Sequence, residues 1–446
     1  MKTTKRISSL AFAIIAFAVT VATVSCQSKQ GKNASSEKPK DSTFVFATPK
    51  VLNVGDVIDK HFKFGTPREN GENYHIPFEC VDTTGFLSLS DVADDVEYVL
   101  LKTSNAKQEI FIGAAKNIFI CKDYIFVQLW DNIIQYDREG NLIRTIGRMG
   151  GGPGEYNGVY NMAVDDKTKK VIINCSGKIN EYDFDGNFIR SQKSTYTDQL
   201  MPIDSNRIAV EVKNLWHDVK ERLVILNRKG EVEKSFPRYQ LFEHTDYGKS
   251  SGYTPHLTKY NDIICFSEAF NDTIFELKND ELQMRYYLDW GKYAMKPEHY
   301  YKNDIENMVG KISHSYYESD RFLIIPSAVA GISYTVVYDK KKDQIRIAFS
   351  TKFLKNRLFY KIMESSEKGF LNDIDGGIAQ RVNAISNDSK YIVSYYYASD
   401  IKDYFEEAGY DADPKYPDKQ AKLKALVSTI DENKHNLLIM MSKLKE

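Results

Sequence analysis

The sequence predicts an all-β fold: a six-bladed β-propeller of four-stranded antiparallel blades. Three observations predict it. A strand–turn–strand unit is repeated, with Tyr136-Asp137-Arg138-Glu139-Gly140-Asn141-Leu142-Ile143-Arg144 matched by Tyr182-Asp183-Phe184-Asp185-Gly186-Asn187-Phe188-Ile189-Arg190. The turn glycines Gly140 and Gly186 lie 46 residues apart, and Gly230 follows 44 residues later. That is the period of a four-stranded blade, roughly 40 to 50 residues. The chain is also 13% aromatic with 29 Tyr, a composition that suits strands better than helices.

The first residues are an address. Lys2, Lys5 and Arg6 form a positive start, and Leu10 to Val24 is apolar apart from Thr20 and Thr23. This run is short for a membrane-spanning helix of about 20 residues. It ends at Ser25-Cys26, a small residue directly before a Cys, as in a bacterial lipobox. Residues 1–25 are therefore expected to be a lipoprotein signal peptide, with Cys26 the lipid-bearing residue. Residues 26–43 hold Lys, Ser, Asn and Gly and read as a flexible tether. Residues 44–95 form an N-terminal extension without a clear repeat, and 96–446 form the propeller.

The blades follow in order. The first runs from about Lys107 to Ile146, with the runs Ile118-Phe119-Ile120, Tyr124 to Val127 and Ile133 to Tyr136. The second runs from Tyr160 to Gln192, and the third holds Arg207 to Val210 and Leu223 to Val232. In the fourth, Asn279-Asp280 replaces the turn glycine. Tyr301, Ile305, Met308, Val309 and Ile312 then recur at helical spacing and predict an inserted helix. The fifth blade holds Phe322 to Ile325 and Tyr334 to Asp339. The sixth holds Ala384-Ile385, Tyr391 to Tyr396 and Leu437 to Met441, with a second helix expected over Asp418 to Glu432. This last segment has three strands. The lone strand Val96 to Leu101 is expected to supply the fourth and close the ring, because an open sheet edge is an aggregation hazard.

The hairpin is followed by Gly147-Arg148-Met149-Gly150-Gly151-Gly152-Pro153-Gly154-Glu155-Tyr156. Together they resemble NHL-type repeats and, more closely, the exported six-bladed β-propeller lipoproteins of Gram-negative gut bacteria. The Leu89-Ser90-Asp91 lead-in to Val96–Leu101 and the last strand from Asn436 fit that family. The resemblance covers roughly residues 85–446. It implies fold and location far more than activity.

Chemistry is less legible. The glycine-rich run lacks the Gly-Lys-Ser/Thr and the helix that a phosphate loop needs, and Glu155 would repel phosphate. It reads first as a tight connection between blades with Tyr156 packed inside. The functional alternative puts Arg148, Glu155 and Tyr156 at the channel mouth as ligand contacts. An axial metal, as in propeller hydrolases and lyases, would draw on polar residues of the inner strands such as Asp165 and Asn174, although their spacing does not mark them as ligands. The triplet Tyr395-Tyr396-Tyr397 reads as packing rather than as a sugar-stacking platform. Cys80, Cys121, Cys175 and Cys265 form no Cys-x-x-Cys pair and read as buried thiols. A net charge of −1 gives no bulk signal for nucleic acid.

The function read from these residues is that of an envelope-anchored binding scaffold. The expected location is the periplasmic side of the outer membrane, since Lys29 and Lys32 follow the Cys without acids. The expected partners are the membrane, through the lipid, and a protein, small-molecule or glycan ligand. A monomer is expected, with no cofactor, no metal and no catalytic residue assigned. The rival class is a hydrolase or lyase with an axial metal.

Overall fold

A computed structural model of the chain describes residues 49–61, 85–194, 199–212, 219–238, 256–268, 270–295, 311–312, 315–329, 332–349, 369–408, 414–431 and 434–446. The signal segment, Cys26, the tether and Cys80 lie outside these residues. So does most of the helix expected around Tyr301. Its last position, Ile312, belongs instead to a short strand, Lys311–Ile312.

Among the described residues, two strands precede the first blade, β1 (Lys50–Asn53) and β2 (Ala93–Lys102). Blade 1 is β3 (Asn117–Ile120), β4 (Tyr124–Gln128), β5 (Ile133–Asp137) and β6 (Leu142–Thr145). Blade 2 is β7 (Asn161–Asp165), β8 (Lys170–Cys175), β9 (Lys178–Asp183) and β10 (Phe188–Lys193). Blade 3 is β11 (Leu200–Pro202), β12 (Ile208–Glu211), β13 (Glu221–Leu226) and β14 (Val232–Pro237). Blade 4 is β15 (His256–Tyr260), β16 (Ile263–Ser267), β17 (Thr273–Lys278) and β18 (Glu281–Asp289). In blade 5 the inner position is shared by β19 (Lys311–Ile312) and β20 (Tyr317–Glu318), followed by β21 (Phe322–Val329), β22 (Ile332–Asp339) and β23 (Gln344–Ala348). Blade 6 is β24 (Ala384–Ile385), β25 (Tyr391–Tyr397) and β26 (His435–Leu444), with β2 as its outermost strand.

The repeated hairpin explains itself at atomic level. In blade 1, Asp137 Oδ1 accepts the Glu139 and Asn141 backbone N–H groups, and Asn141 Nδ2 donates to Asp137 Oδ2 at 2.7 Å. In blade 2, Asp183 and Asn187 repeat the exchange at 2.8 and 2.9 Å. Between them Gly140 and Gly186 take φ of +81° and +82°, a conformation open to Gly at little steric cost. The preceding Tyr136 and Tyr182 are both fully buried. The motif is thus a turn with its own cap and an anchor into the core.

The core lies between neighbouring blades. Blades 1 and 2 enclose Phe126, Ile133, Met162, Val171 and Tyr182. Blades 2 and 3 enclose Ile172, Ile179, Val210 and Val224. Alternation along each strand sends one face to the preceding blade and one to the next, so each sheet is buried on both sides.

Closure follows the expected path. β2 pairs antiparallel with β26 from Ala93↔Leu444 to Lys102↔His435. The turn of blade 1 then rests on β2, because Lys102 N donates to Gly140 O at 3.0 Å. The turn of blade 2 sits in the same way over β6 of blade 1, where a Cβ on Gly186 would lie 3.7 Å from Thr145 O. The N-terminal strand therefore fills the outer-strand place that every other blade fills from its own segment.

The described parts of the extension before β2 pack on the propeller, which their sequence did not announce. β1 adds a fifth, parallel strand to blade 4, with Lys50 opposite Tyr286 and Asn53 opposite Asp289. The helix Val54–His61 buries Val54 and Ile58 against Trp290 and Tyr293. Further on, Leu87 N donates to Ile347 O of blade 5 at 2.8 Å. Ser90 N and Oγ then donate to Asp373 at 2.9 and 2.6 Å. The described parts of the segment thus touch blade 4 with residues 50–61, blade 5 with Leu87 and the loop before blade 6 with Ser90. Two helices, Ala398–Ala408 and Pro417–Ser428, are inserted between β25 and β26. The second covers most of the stretch expected to be helical; the first was not signalled by the spacing.

Candidate functional site

The innermost strands are short because they converge on one axis. β3, β7, β11, β15, β20 and β24 together line an axial cavity of about 570 Å³. At one end, where these strands begin, stand Asn117, Asn161, Gln199, His256 and Asn383. Each is the first residue of an inner strand or the residue before it. Asn117 Nδ2 donates to Gln128 Oε1 at 2.8 Å, and Gln199 Oε1 accepts the Leu257 N–H at 2.7 Å. Tyr317 OH donates to Asn383 O at 2.9 Å. The Asn161 side chain is partly exposed to the cavity and makes no hydrogen bond among the described residues. His256 stands edge-on to Tyr316 and Tyr317, both ring pairs at 5.8 Å. Burial pushes its imidazole down to about 4, so it is neutral at pH 7.

The other end of the channel is formed by the turns after the inner strands, and here the charges gather. Lys167 of blade 2 reaches past blade 3 to pair with Asp262 of blade 4, and Lys259 Nζ lies 3.6 Å from Asp262 Oδ1. The hydrogen bond from Lys167 holds the Asp262 carboxyl below its ordinary range. Asp165 is occupied within its own turn, accepting Lys167 N at 3.1 Å and Thr168 Oγ1 at 2.8 Å. Asn387 of blade 6 crosses to Val164 O of blade 2 at 3.1 Å. This end is therefore strapped by side chains from blades 2, 4 and 6.

Asp165 lines the channel, as an inner-strand candidate should. Asn174 does not. It lies on β8, the second strand, fully buried opposite Asn161 in register, so the inner-strand assignment is corrected. No group of three or more His, Cys, Asp or Glu able to hold a metal ion occurs among the described residues.

The glycine-rich loop joins β6 to β7 and holds together from within. Arg148 Nε donates to Glu155 Oε1 at 2.6 Å, and Gly152 N donates to Glu155 Oε2 at 2.7 Å. The Gly152 N–H and then Arg148 keep the Glu155 carboxyl below its usual range. Lys178 Nζ and Asn180 Nδ2 of β9 donate to Glu155 O at 2.7 and 3.1 Å. Tyr156 is fully buried between blades 1 and 2 and donates its hydroxyl to Ile146 O at 3.0 Å. Of the three loop candidates, Arg148 is exposed, Glu155 is mostly covered and Tyr156 is sealed in the core. The structure does not bring them to the channel lining. The tyrosine triplet is likewise stitched inward: Tyr395 OH donates to Ala115 O at 3.1 Å and Tyr397 OH to Gly113 O at 3.2 Å. Cys121, Cys175 and Cys265 are free and buried, and burial pushes the Cys175 thiol up to about 11.

The ring of amides escaped the sequence reading. One signal for it was present: Asn117-Ile118-Phe119-Ile120 and Asn161-Met162-Ala163-Val164 are 44 residues apart, in phase with the turn repeat.

Against known proteins, the model of a family described as a domain of unknown function, DUF4934, matches residues 74–443. Among solved structures, this chain is similar to an exported protein of Bacteroides fragilis NCTC 9343. The TM-score is 0.57 at 16% identity, over 81% of this chain and 99% of that one. A member of the DUF4221 family from Bacteroides vulgatus aligns at TM-score 0.44 and 14% identity, over 79% and 97% of the two chains. At 16% identity the likeness to the first is one of fold alone. No curated protein matches. No helix among the described residues is long and apolar enough to cross a membrane.

Proposed function

The chain belongs to the DUF4934 family, and on that premise we propose that it is a lipid-anchored envelope protein whose NHL-like propeller serves as a binding scaffold. The observation that carries the binding role is the axial cavity, to which the inner strands of all six blades contribute. A preformed concave centre lined by apolar side chains with a few convergent polar groups is the usual form of a ligand site, and this lining combines both. The address rests on the charged start, the apolar run and Ser25-Cys26. It agrees with the fold likeness to an exported protein. Lys29 and Lys32 favour the periplasmic face of the outer membrane, and the tether gives the propeller reach from the lipid.

Two measurements test this reading. Cys26→Ser should release the protein from the membrane fraction, and intact mass of the wild type should show acyl chains. Retention of the variant together with an unmodified wild-type mass overturns the anchor. Elemental analysis of the dialysed protein tests the scaffold role, since stoichiometric Ca or Zn would favour a metal-dependent hydrolase or lyase.

A further inference from the structure

We propose that the axial channel takes a neutral polyhydroxylated ligand, a monosaccharide or short oligosaccharide, held by the amide side chains of Asn117, Asn161, Gln199 and Asn383. This rests on the channel being the binding site and adds the chemical class.

Charge is the first argument. The lining of the strand-start half contains no Asp, Glu, Lys or Arg among the described residues. Its described titratable imidazole, His256, is neutral at pH 7. The charged residues of the lining lie at the turn end. There Lys167 and Lys259 are committed to Asp262, and Asp166 is committed to Lys169 at 2.6 Å. An ionic ligand in the strand-start half would lose its water and gain no opposite charge, which is costly. Hydrogen bonding is the second argument. Each primary amide offers both donor and acceptor, and a hydroxyl likewise offers both. A ring of amides around one axis suits a ligand with hydroxyls pointing outward in several directions. Asn161 is the key member, since its side chain is engaged with no described residue. Surface character is the third. Ala163, Met201, Ala384, Phe119 and Tyr317 share the lining with the amides. Such a mixture serves a ligand whose C–H faces are apolar and whose edges are polar. At about 570 Å³, the cavity is within the range of small-ligand sites, roughly 300–1,000 Å³.

The test is calorimetric titration of the purified full chain in a detergent free of sugar headgroups. The neutral probes are glucose, galactose, N-acetylglucosamine, maltose and cellobiose. The comparators are glucuronate, glucose 6-phosphate and trialanine. At least one neutral sugar should bind and raise the melting temperature. Asn161→Leu should weaken that binding about tenfold, the equivalent of roughly 1.4 kcal/mol, with an unchanged melting temperature in the free protein. Arg148→Ala, on the glycine-rich loop, should leave binding unchanged. Silence from every neutral sugar overturns the proposal, as does tighter binding of a charged comparator or of trialanine. So does a loss caused by Arg148→Ala instead of Asn161→Leu. A silent panel leaves the lipid anchor standing, whereas loss of acylation leaves the channel chemistry standing, so the two failures are distinguishable.

Discussion

Blades 2 and 6 have the same four-stranded form and reach it by opposite routes. Blade 2 is made from one continuous segment, Asn161 to Lys193, with tight turns between strands. Blade 6 joins strands from both ends of the chain and carries two helices between its middle strands. Blade 2 is specified by local turn chemistry. Blade 6 depends on a pairing across more than 300 residues, which incurs loop-closure entropy before any contact forms. The return is a sixth blade with its full set of four strands, so that β26 is paired on both sides. The difference teaches that the regular blades set the architecture, while the irregular one holds it shut.

The largest effect is expected from removing the closing strand. Deleting residues up to Leu101 strips β2 from blade 6. It removes the buried side chains of Ala93, Leu100 and Leu101 and uncovers Leu437 and Met441. At roughly 1.5–3 kcal/mol for each buried Leu, the loss is a large share of a typical total of about 5–15 kcal/mol. Soluble yield and thermal melting should both collapse. A truncation ending at Asp91 spares β2 but removes the segment before it. Leu52, Val54, Ile58, Leu87 and Leu89 are buried along blades 4 to 6, so this truncation should melt early too, though less severely. Equal melting of the two truncations would show that β2 carries no special share of the closure.

Glycine substitutions sharpen the comparison at a single contact. Gly140→Ala and Gly186→Ala both place an L side chain at positive φ, costing about 1–2 kcal/mol. At Gly140 the new Cβ would also lie 2.2 Å from Leu100 O on the closing strand, whereas at Gly186 its nearest neighbour, Arg144, is 3.5 Å away. Gly140→Ala should therefore destabilise by clearly more than Gly186→Ala in denaturant unfolding. Matching losses would mean that β2 yields freely.

Acid should act on the two blades in opposite directions. Burial pushes Asp375 up against the Gly377 N–H, Tyr98 and Asn372 hydrogen bonds, and Tyr98 belongs to β2. With a raised folded pKa, its contribution is full below the unfolded value and is lost as pH rises through the folded value. Burial also opposes ionisation at Asp183 in blade 2, but the Asn187 bonds overcome it and hold that carboxyl low. Its contribution is full above the unfolded value and is lost as pH falls through the folded value. Asp375→Asn should thus be neutral or mildly stabilising at pH 7, and Asp183→Asn destabilising. Hydrogen exchange on acidification should loosen the blade 2 turn before β2. The reverse order would show that Asp375 is not strained by burial.

The smallest effect is expected at the glycine-rich loop. Arg148 is largely exposed, and exposed ion pairs contribute little. Arg148→Ala should scarcely move the melting temperature, because Tyr156, Lys178 and Asn180 still fix the loop. A large drop would show the pair to be a main clasp between blades 1 and 2.

What the sequence alone determined was the set of features encoded within a few residues. The Asp, Gly and Asn of each hairpin fix the turn through bonds within one short segment, so the repeat, the blade period and the count were readable. The closing strand was readable too, because three strands in the last blade leave one place unfilled. Only the tertiary structure decided the rest. β1 lies in parallel on blade 4 because an open outer edge and the apolar pocket around Trp290 are there to receive it, and neither exists in a linear chain. Of the two places the sequence left open for Tyr156, between blades or at the channel mouth, blade 2 decides for the first by covering it. The channel amides become one site because six inner strands meet on a common axis, bringing Asn117 and Asn383 to one cavity from positions 266 residues apart. Turn chemistry acts over two to four residues of backbone, whereas a binding site depends on distances that only the closed ring sets.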